Sequence, residues 1–181
     1  MPDQPTLIFG VRRMTRADLG MVLAWRNHES VRDFMYTQHE ITPLEHVHWF
    51  ERALQDANRH LLVYEENQKP SGFVNFTAYE GSRNAVWGFY AAPNVPKGVG
   101  RRMGQAALRY GFDQSGFHKI SGEALAHNEK SIRFHLSLGF SQEGVLKDHF
   151  FDSGQYHDVV CLGLLASEWF GQPNNLTPHC P

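Results

Sequence analysis

Three runs rich in aromatic and β-branched residues, HLLVYEE, SGFVNFTAYE and NAVWGFYA, follow one another between residues 60 and 91 with only NQKP and GSR between them. Short runs of that composition joined by turn chemistry read as an antiparallel meander, because links this short allow hairpins but no crossover. The chain then passes into KGVGRRMGQAALRYGF, residues 97–112, where Val99, Met103, Ala106, Ala107 and Tyr110 recur at helical spacing. A sheet followed by a one-sided helix buries that helix on one of its faces, so the fold mixes α and β.

The flanking segments extend this pattern. LIFGVRRM has strand composition, and Thr15 with Asp18 resembles a capping box opening a helix through Trp25. In ITPLEHVHWFERAL, Thr42 is the cap, Pro43 takes the first helical position and Glu45 lies three after the cap, with Leu44, Val47, Phe50 and Leu54 expected on the buried face. After the glycine-led helix come FHKISGEAL as a strand, NEKSIRFHLSLGF as a helix stopping at Gly139, and YHDVVCLGLL as a last strand. The predicted order is β, α, α, α, β, β, β, α, β, α, β.

At 181 residues, 41% hydrophobic and 20% charged, the chain suits one compact domain, placed here at residues 1–170 with a mobile tail, GQPNNLTPHCP, at 171–181. A formal net charge of -2 argues against a generally basic nucleic-acid binder. No apolar run approaches the roughly 18 to 20 residues of a membrane span, and MPDQPTLIFGVRRM lacks the charged start and apolar core of a leader, so the expected location is the cytoplasm. Cys161 and Cys180 form neither a disulfide framework nor a metal motif. The eleven histidines include no metal-ligand array, and His46 and His48, two apart, point to different helix faces, so no metal is expected.

A helix N-terminus leaves backbone N–H groups unpaired and carries partial positive charge, so bare backbone at Gly98 and Gly100 makes the start of that helix a candidate anion site, with Arg101 and Arg102 adding charge. The alternative is a tight turn with solvated arginines. No Gly-Lys-Ser/Thr follows, and the glycines do not complete a dinucleotide fingerprint after a first strand.

With NEKSIRFHLSLGF some thirty residues further on, the chain resembles the GNAT superfamily of acyl-CoA N-acyltransferases over residues 7–166. Gly98 and Gly100 match its Gln/Arg-x-x-Gly-x-Gly/Ala loop; Asn128, Ser131, Gly139 and Phe140 match its Asn-x-x-Ser/Ala-x-x-x-Tyr-x-x-x-Gly-Phe helix. Val95 replaces the usual Gln or Arg, and His135 the usual Tyr. The resemblance implies an α/β (α+β) fold with a mixed, mostly antiparallel sheet of six to seven strands flanked by helices and a splay between two central strands. It implies acetyl-CoA as co-substrate, with its pantetheine arm along Phe89, Tyr90 and Ala91 and its pyrophosphate on the N–H groups of Lys97, Gly98, Val99, Gly100, Arg101 and Arg102. Asn128, Ser131 and His135 would complete that cofactor site.

Acetyl transfer to an amine needs a base, an oxyanion donor and an acid for the departing thiolate. The resemblance implies backbone N–H near Tyr90 or Ala91 as the donor and His135 as the acid, the alternative being that His135 only packs beside the thiol. Glu123, near the end of the strand ISGEAL, is the candidate base, the alternative being a solvent-facing strand-end carboxylate; His127 and Tyr90 stand in reserve.

WRNHESVRDFM and EHVHWF, with GFYAAPN, resemble a narrower branch of the superfamily: the pseudaminic-acid enzymes, which acetylate the 4-amino group of a UDP-linked 4,6-dideoxy sugar on the way to flagellin glycans. The resemblance places Arg26, Met35, His46, Thr77 and Tyr90 around the nucleotide-sugar acceptor. The alternatives are a ribosomal-protein or N-terminal peptide acetyltransferase and a non-catalytic acyl-CoA-binding module. An exposed final strand could pair with a second copy of the chain.

Overall fold

The computed structural model describes residues 8–152 and 154–172. Cys180 and most of the tail expected to be mobile lie outside those residues. Seven strands form one mixed sheet in the order β1-β2-β3-β4-β5-β7-β6, with β4 and β5 parallel and helices interspersed along the chain. The described residues fall into two compact units, those within 1–77 and 88–110 and those within 78–87 and 111–181.

In the first unit, β1 (Phe9–Arg13) pairs antiparallel with β2 (Arg59–Glu66), which pairs antiparallel with β3 (Lys69–Ala78). Asn67 and Gln68 both take positive φ, the two-residue geometry whose twist matches a hairpin. The β2–β3 register shifts between Tyr64 and Glu65, opposite Pro70, which has no N–H to give the ladder. Three helices precede β2: α1 (Leu19–Asn27), α2 (Glu29–Arg32) and α3 (Pro43–Gln55). Val22 and Phe50 pack on Leu61, Val63 and Phe73 of the sheet. α4 (Val99–Arg109) buries Val99, Met103, Ala107 and Leu108. A Cβ on Gly72 would run into Met103 Sδ and come within 3.1 Å of Tyr90 O, so only glycine lets α4 settle this close to β3.

The capping box on α3 forms as predicted, Glu45 N donating to Thr42 Oγ1 and Thr42 N to Glu45 Oε2. Its buried face differs from the expected one. Leu44 is 65% and Leu54 59% exposed, while His46, Phe50 and Ala53 are buried. His46 and Phe50 are one helical turn apart and Ala53 three further on, an equally regular face that hydrophobicity alone cannot select because it begins on a histidine.

In the second unit, β4 (Asn84–Ala91) pairs parallel with β5 (Lys119–Leu125) over Asn84–Val86 and Lys119–Ser121, a three-residue ladder. The full length of β5 pairs antiparallel with β7 (Gln155–Leu165). α5 (Glu129–Ser137) follows β5. Two elements are absent from the predicted order: β6 (Ser141–Asp152), which pairs with β7 and brings the sheet to seven strands, within the expected six to seven, and α6 (Ala166–Phe170). β6 is exposed along nearly its whole length, so the inside-outside alternation that identifies a strand is missing from its sequence.

Asp18 anchors the start of α1. Its carboxylate accepts from Arg12 Nη1 and Nη2 at 2.8 Å each and from Thr15 N and Oγ1 at 2.8 and 2.9 Å, and Asp18 is only 6% exposed. Hydrogen bonding to Arg12 is the main reason its pKa falls from 3.8 to about 2. Because the folded value is the lower one, this stabilisation is present above about pH 4 and is lost as pH falls towards 2. Asp18→Asn should cost about 2 kcal/mol at neutral pH by urea unfolding and flatten the acid limb of the stability profile.

Candidate active site

Sequence order gives three consecutive residues at the end of α1 three different directions. Trp25 packs against the core of the first unit. Asn27 fastens the segment before α3, donating from Nδ2 to Ile41 O at 2.8 Å and accepting at Oδ1 from Ile41 N at 2.9 Å. Arg26, between them, lines a cavity of about 530 Å3 in the same unit and donates from Nη2 to Thr37 O at 2.6 Å.

Met35, His46 and Tyr90 line that cavity with Arg26. Thr77, the fifth acceptor residue expected from sequence, does not. Asn75 lines it instead, two residues earlier on the same face of β3. Strand periodicity gives that face but not how far the cavity reaches along it. His46 is 5% exposed and stacks on Trp49 at 4.9 Å between centroids. Tyr90 packs against Phe73 at 5.2 Å, and desolvation raises its pKa, keeping the phenol protonated.

The cavity's electrostatics are unusual for a buried site. Arg26 Nη1 and His46 Nε2 are buried and have no hydrogen-bond partner among the described residues. Burial lowers the pKa of both groups, and the nearby Arg26 charge lowers that of His46 further, so the imidazole is neutral while the guanidinium keeps its charge. Glu45 is the one carboxylate on the described lining, and it is already engaged by Thr42 and by His39 at 3.3 Å. A buried cation with an open donor beside an open imidazole nitrogen is arranged to receive an anion or another strong acceptor.

At the head of α4, Gly98 sits at φ 93 as the N-cap, and the first turn contains no acidic residue. In that turn Val99 N donates to Pro96 O at 3.3 Å and Arg102 N to Gly98 O at 3.2 Å, so it is the N–H groups of Gly100 and Arg101 that stand at the helix start beside the two cations, Arg101 and Arg102. Lys97 is in the preceding turn, and Phe89, Tyr90 and Ala91 form the end of β4.

In the second unit, Asn128 caps α5, its Oδ1 accepting from Ser131 N at 3.1 Å. Glu123 is exposed on β5, opposite Cys161 of β7. Cys161 is a free thiol whose pKa is raised by burial and by the charges of Glu123 and Glu143. His127 lies beside His157, 5.1 Å between ring centroids. Among the described residues no group of three or more His, Cys, Asp or Glu could hold a metal ion.

His135 calls for a correction. It is 2% exposed, its Nδ1 lies 2.8 Å from Ser131 O, and its Nε2 accepts from Trp87 Nε1 at 3.1 Å. Accepting the indole N–H puts the imidazole proton on Nδ1, where it faces the Ser131 carbonyl. Burial lowers its pKa, favouring the neutral form. An acid needs an N–H free to reach sulfur, and neither nitrogen offers one in this arrangement. Gly122 makes room for the pair: a Cβ there would stand 2.5 Å from His135 Nε2 and 2.7 Å from Trp87 Nε1.

The acetyltransferase (GNAT) domain family matches residues 9–141. The chain belongs to the GNAT family. It is an acetyl-CoA-dependent N-acetyltransferase. Spermidine N(1)-acetyltransferase of Escherichia coli K12 is 25% identical over 164 residues, 90% of this chain and 88% of that protein. Acetyltransferase PseH of Campylobacter jejuni is 26% identical over 148 residues, 80% of this chain and 85% of that protein. The crystal structure of spermidine N-acetyltransferase from Vibrio cholerae in complex with CoA and spermine superposes with a TM-score of 0.83 at 25% identity, covering 90% of this chain and 98% of that one.

His135→Phe should lower stability by about 2 kcal/mol, because it removes the buried acceptor of the Trp87 indole N–H. Turnover per folded molecule should change less than about threefold, whereas loss of an acid in proton transfer costs roughly a hundredfold or more. Paired unfolding curves and steady-state rates separate the two.

Proposed function

We propose that this GNAT enzyme acetylates the 4-amino group of a UDP-linked 4-amino-4,6-dideoxy sugar, the step that the resemblance assigns to the pseudaminic-acid route. The observation carrying the reading is the open Arg26 Nη1 beside the open His46 Nε2 in a cavity walled by Trp49 and Tyr90. A nucleotide sugar supplies what such a cavity lacks: diphosphate oxygens for the guanidinium and imidazole, and flat rings for the aromatic walls. Nucleotide sugars and acetyl-CoA are both met in the cytoplasm, where the enzyme would act.

The polyamine acetyltransferases are as similar overall, yet a polyamine is a multiple cation. Its ammonium groups call for carboxylates, and the described lining offers only the engaged Glu45 against Arg26 and Arg52. A peptide acceptor would leave the Arg26 donor without a stated partner.

Acetyl-CoA supplies the activated acyl group. The head of α4 fits its pyrophosphate, because a left-handed Gly98 brings bare backbone forward and the helix's own first turn carries no acidic residue. Backbone N–H near Tyr90 or Ala91 receives developing negative charge on the acyl oxygen. Glu123, exposed on β5, takes the ammonium proton through water. With His135 held neutral, water is the proton source for the thiolate, and proximity of the two substrates carries much of the rate.

Thiol release from acetyl-CoA should be seen with the UDP-linked aminosugar and not with spermidine or N-terminal peptides; release with spermidine alone would overturn the reading. Arg26→Ala should raise the sugar's KM by about 10- to 100-fold, the loss of a charge-assisted bond, with little change in that for acetyl-CoA. Glu123→Gln should remove the acidic limb of the kcat/KM profile; an unshifted limb would take Glu123 out of the scheme.

A further inference from the structure

Glu66, at the end of β2, places a carboxylate beside the loop assigned above to an anionic group. Its geometry explains the apparent conflict. Arg102 donates from Nε to Glu66 Oε1 at 2.6 Å and from Nη2 to Oε2 at 3.1 Å, a two-pronged pair using one edge of the guanidinium. Tyr64 Oη donates to the same Oε1 at 2.6 Å, so the carboxylate is itself oriented from within the core, and its side chain is only 13% exposed. The remaining nitrogen, Nη1, lies over the loop: a Cβ on Gly98 would stand 2.9 Å from it.

We propose that Glu66 is a positioning residue for acetyl-CoA, locking one edge of the Arg102 guanidinium so that Nη1 stands as a fixed cation over the Gly98 loop for the pyrophosphate. This rests on the reading of that loop as the pyrophosphate site. A free arginine on the first turn would lose rotamer freedom each time the donor binds, and the lock on Nε and Nη2 meets that cost during folding. Lysine could not take over the role, because one ammonium cannot offer a carboxylate two parallel donors while leaving a third group directed elsewhere. It also gives Gly98 a second reason to be glycine besides its φ of 93: any side chain would displace the guanidinium.

Two effects of Glu66 oppose each other. Its negative charge repels the donor's anion, and its hold on Arg102 improves the cation's aim; the proposal requires the second to dominate. The test is the Kd of CoA by calorimetry for Glu66→Gln, Arg102→Gln and the double variant, with thermal melting recorded for each. Glu66→Gln should weaken CoA about tenfold, Arg102→Gln at least as much, and the double variant no more than Arg102→Gln alone. Tighter or unchanged binding in Glu66→Gln, or an equal loss from it in both backgrounds, would overturn the proposal. Gly98→Ala distinguishes the underlying reading: if it leaves CoA affinity unchanged the loop is not the pyrophosphate site, whereas a loss there with Glu66→Gln silent removes only the positioning role.

Discussion

The seating of α4 on β3 at Gly72 is the constraint from which the first unit is built. Met103 occupies the space a side chain at residue 72 would need, and the carbonyl of Tyr90 lies just beyond it. The helix, the middle strand and the C-terminal end of β4 are thus registered at one point of close approach. A side chain at that position would have to displace the Met103 thioether and crowd the Tyr90 carbonyl, and a packed interior leaves little room for either. The Gly98 loop inherits its place from this packing, and the ion pair between Arg102 and Glu66 ties the first turn of α4 to β2.

Much of this fold is legible in the sequence because local chemistry and burial agree. The meander announces itself by composition, and the capping residues Thr42, Pro43 and Glu45 act locally, so no knowledge of tertiary structure is needed to place the start of α3. The failures share a cause. β6 is exposed on both faces and carries no alternation, and α6 is a single short turn after β7. On α3 the inward face begins with His46, a polar residue that stacks on Trp49 beside the cavity. A rule that sends apolar residues inward chooses Leu44 instead. The candidate site shows the same division: four of the five expected acceptor residues share one cavity, while Thr77 gives way to Asn75 because the sequence fixes the face of a strand and not the depth of a pocket. His135 stands in the Tyr position of the motif it resembles, but its surroundings include Trp87 and Gly122, which are remote in sequence.

The two buried nitrogen centres illustrate how similar scaffolds acquire different chemistry. His135 and His46 are both neutral, nearly inaccessible imidazoles. One has both nitrogens engaged, by an indole and a backbone carbonyl, and contributes to the core. The other leaves Nε2 open toward a cavity next to an open guanidinium nitrogen. Burial is common to both; bonding capacity left open at Nε2 is what sets His46 apart.

The last turn of α1 bears on how such an enzyme can diversify. Trp25 serves the core, Asn27 secures the loop ahead of α3, and of the three Arg26 alone lines the cavity. Anchoring on both sides means that the middle position can change its charge without shifting the backbone that presents it. A lineage built on this plan could therefore move between anionic and cationic acceptors through very few substitutions, with the acetyl-donor half inherited intact. Related enzymes with nearly superposable chains and opposite acceptor charges are the expected outcome of that arrangement.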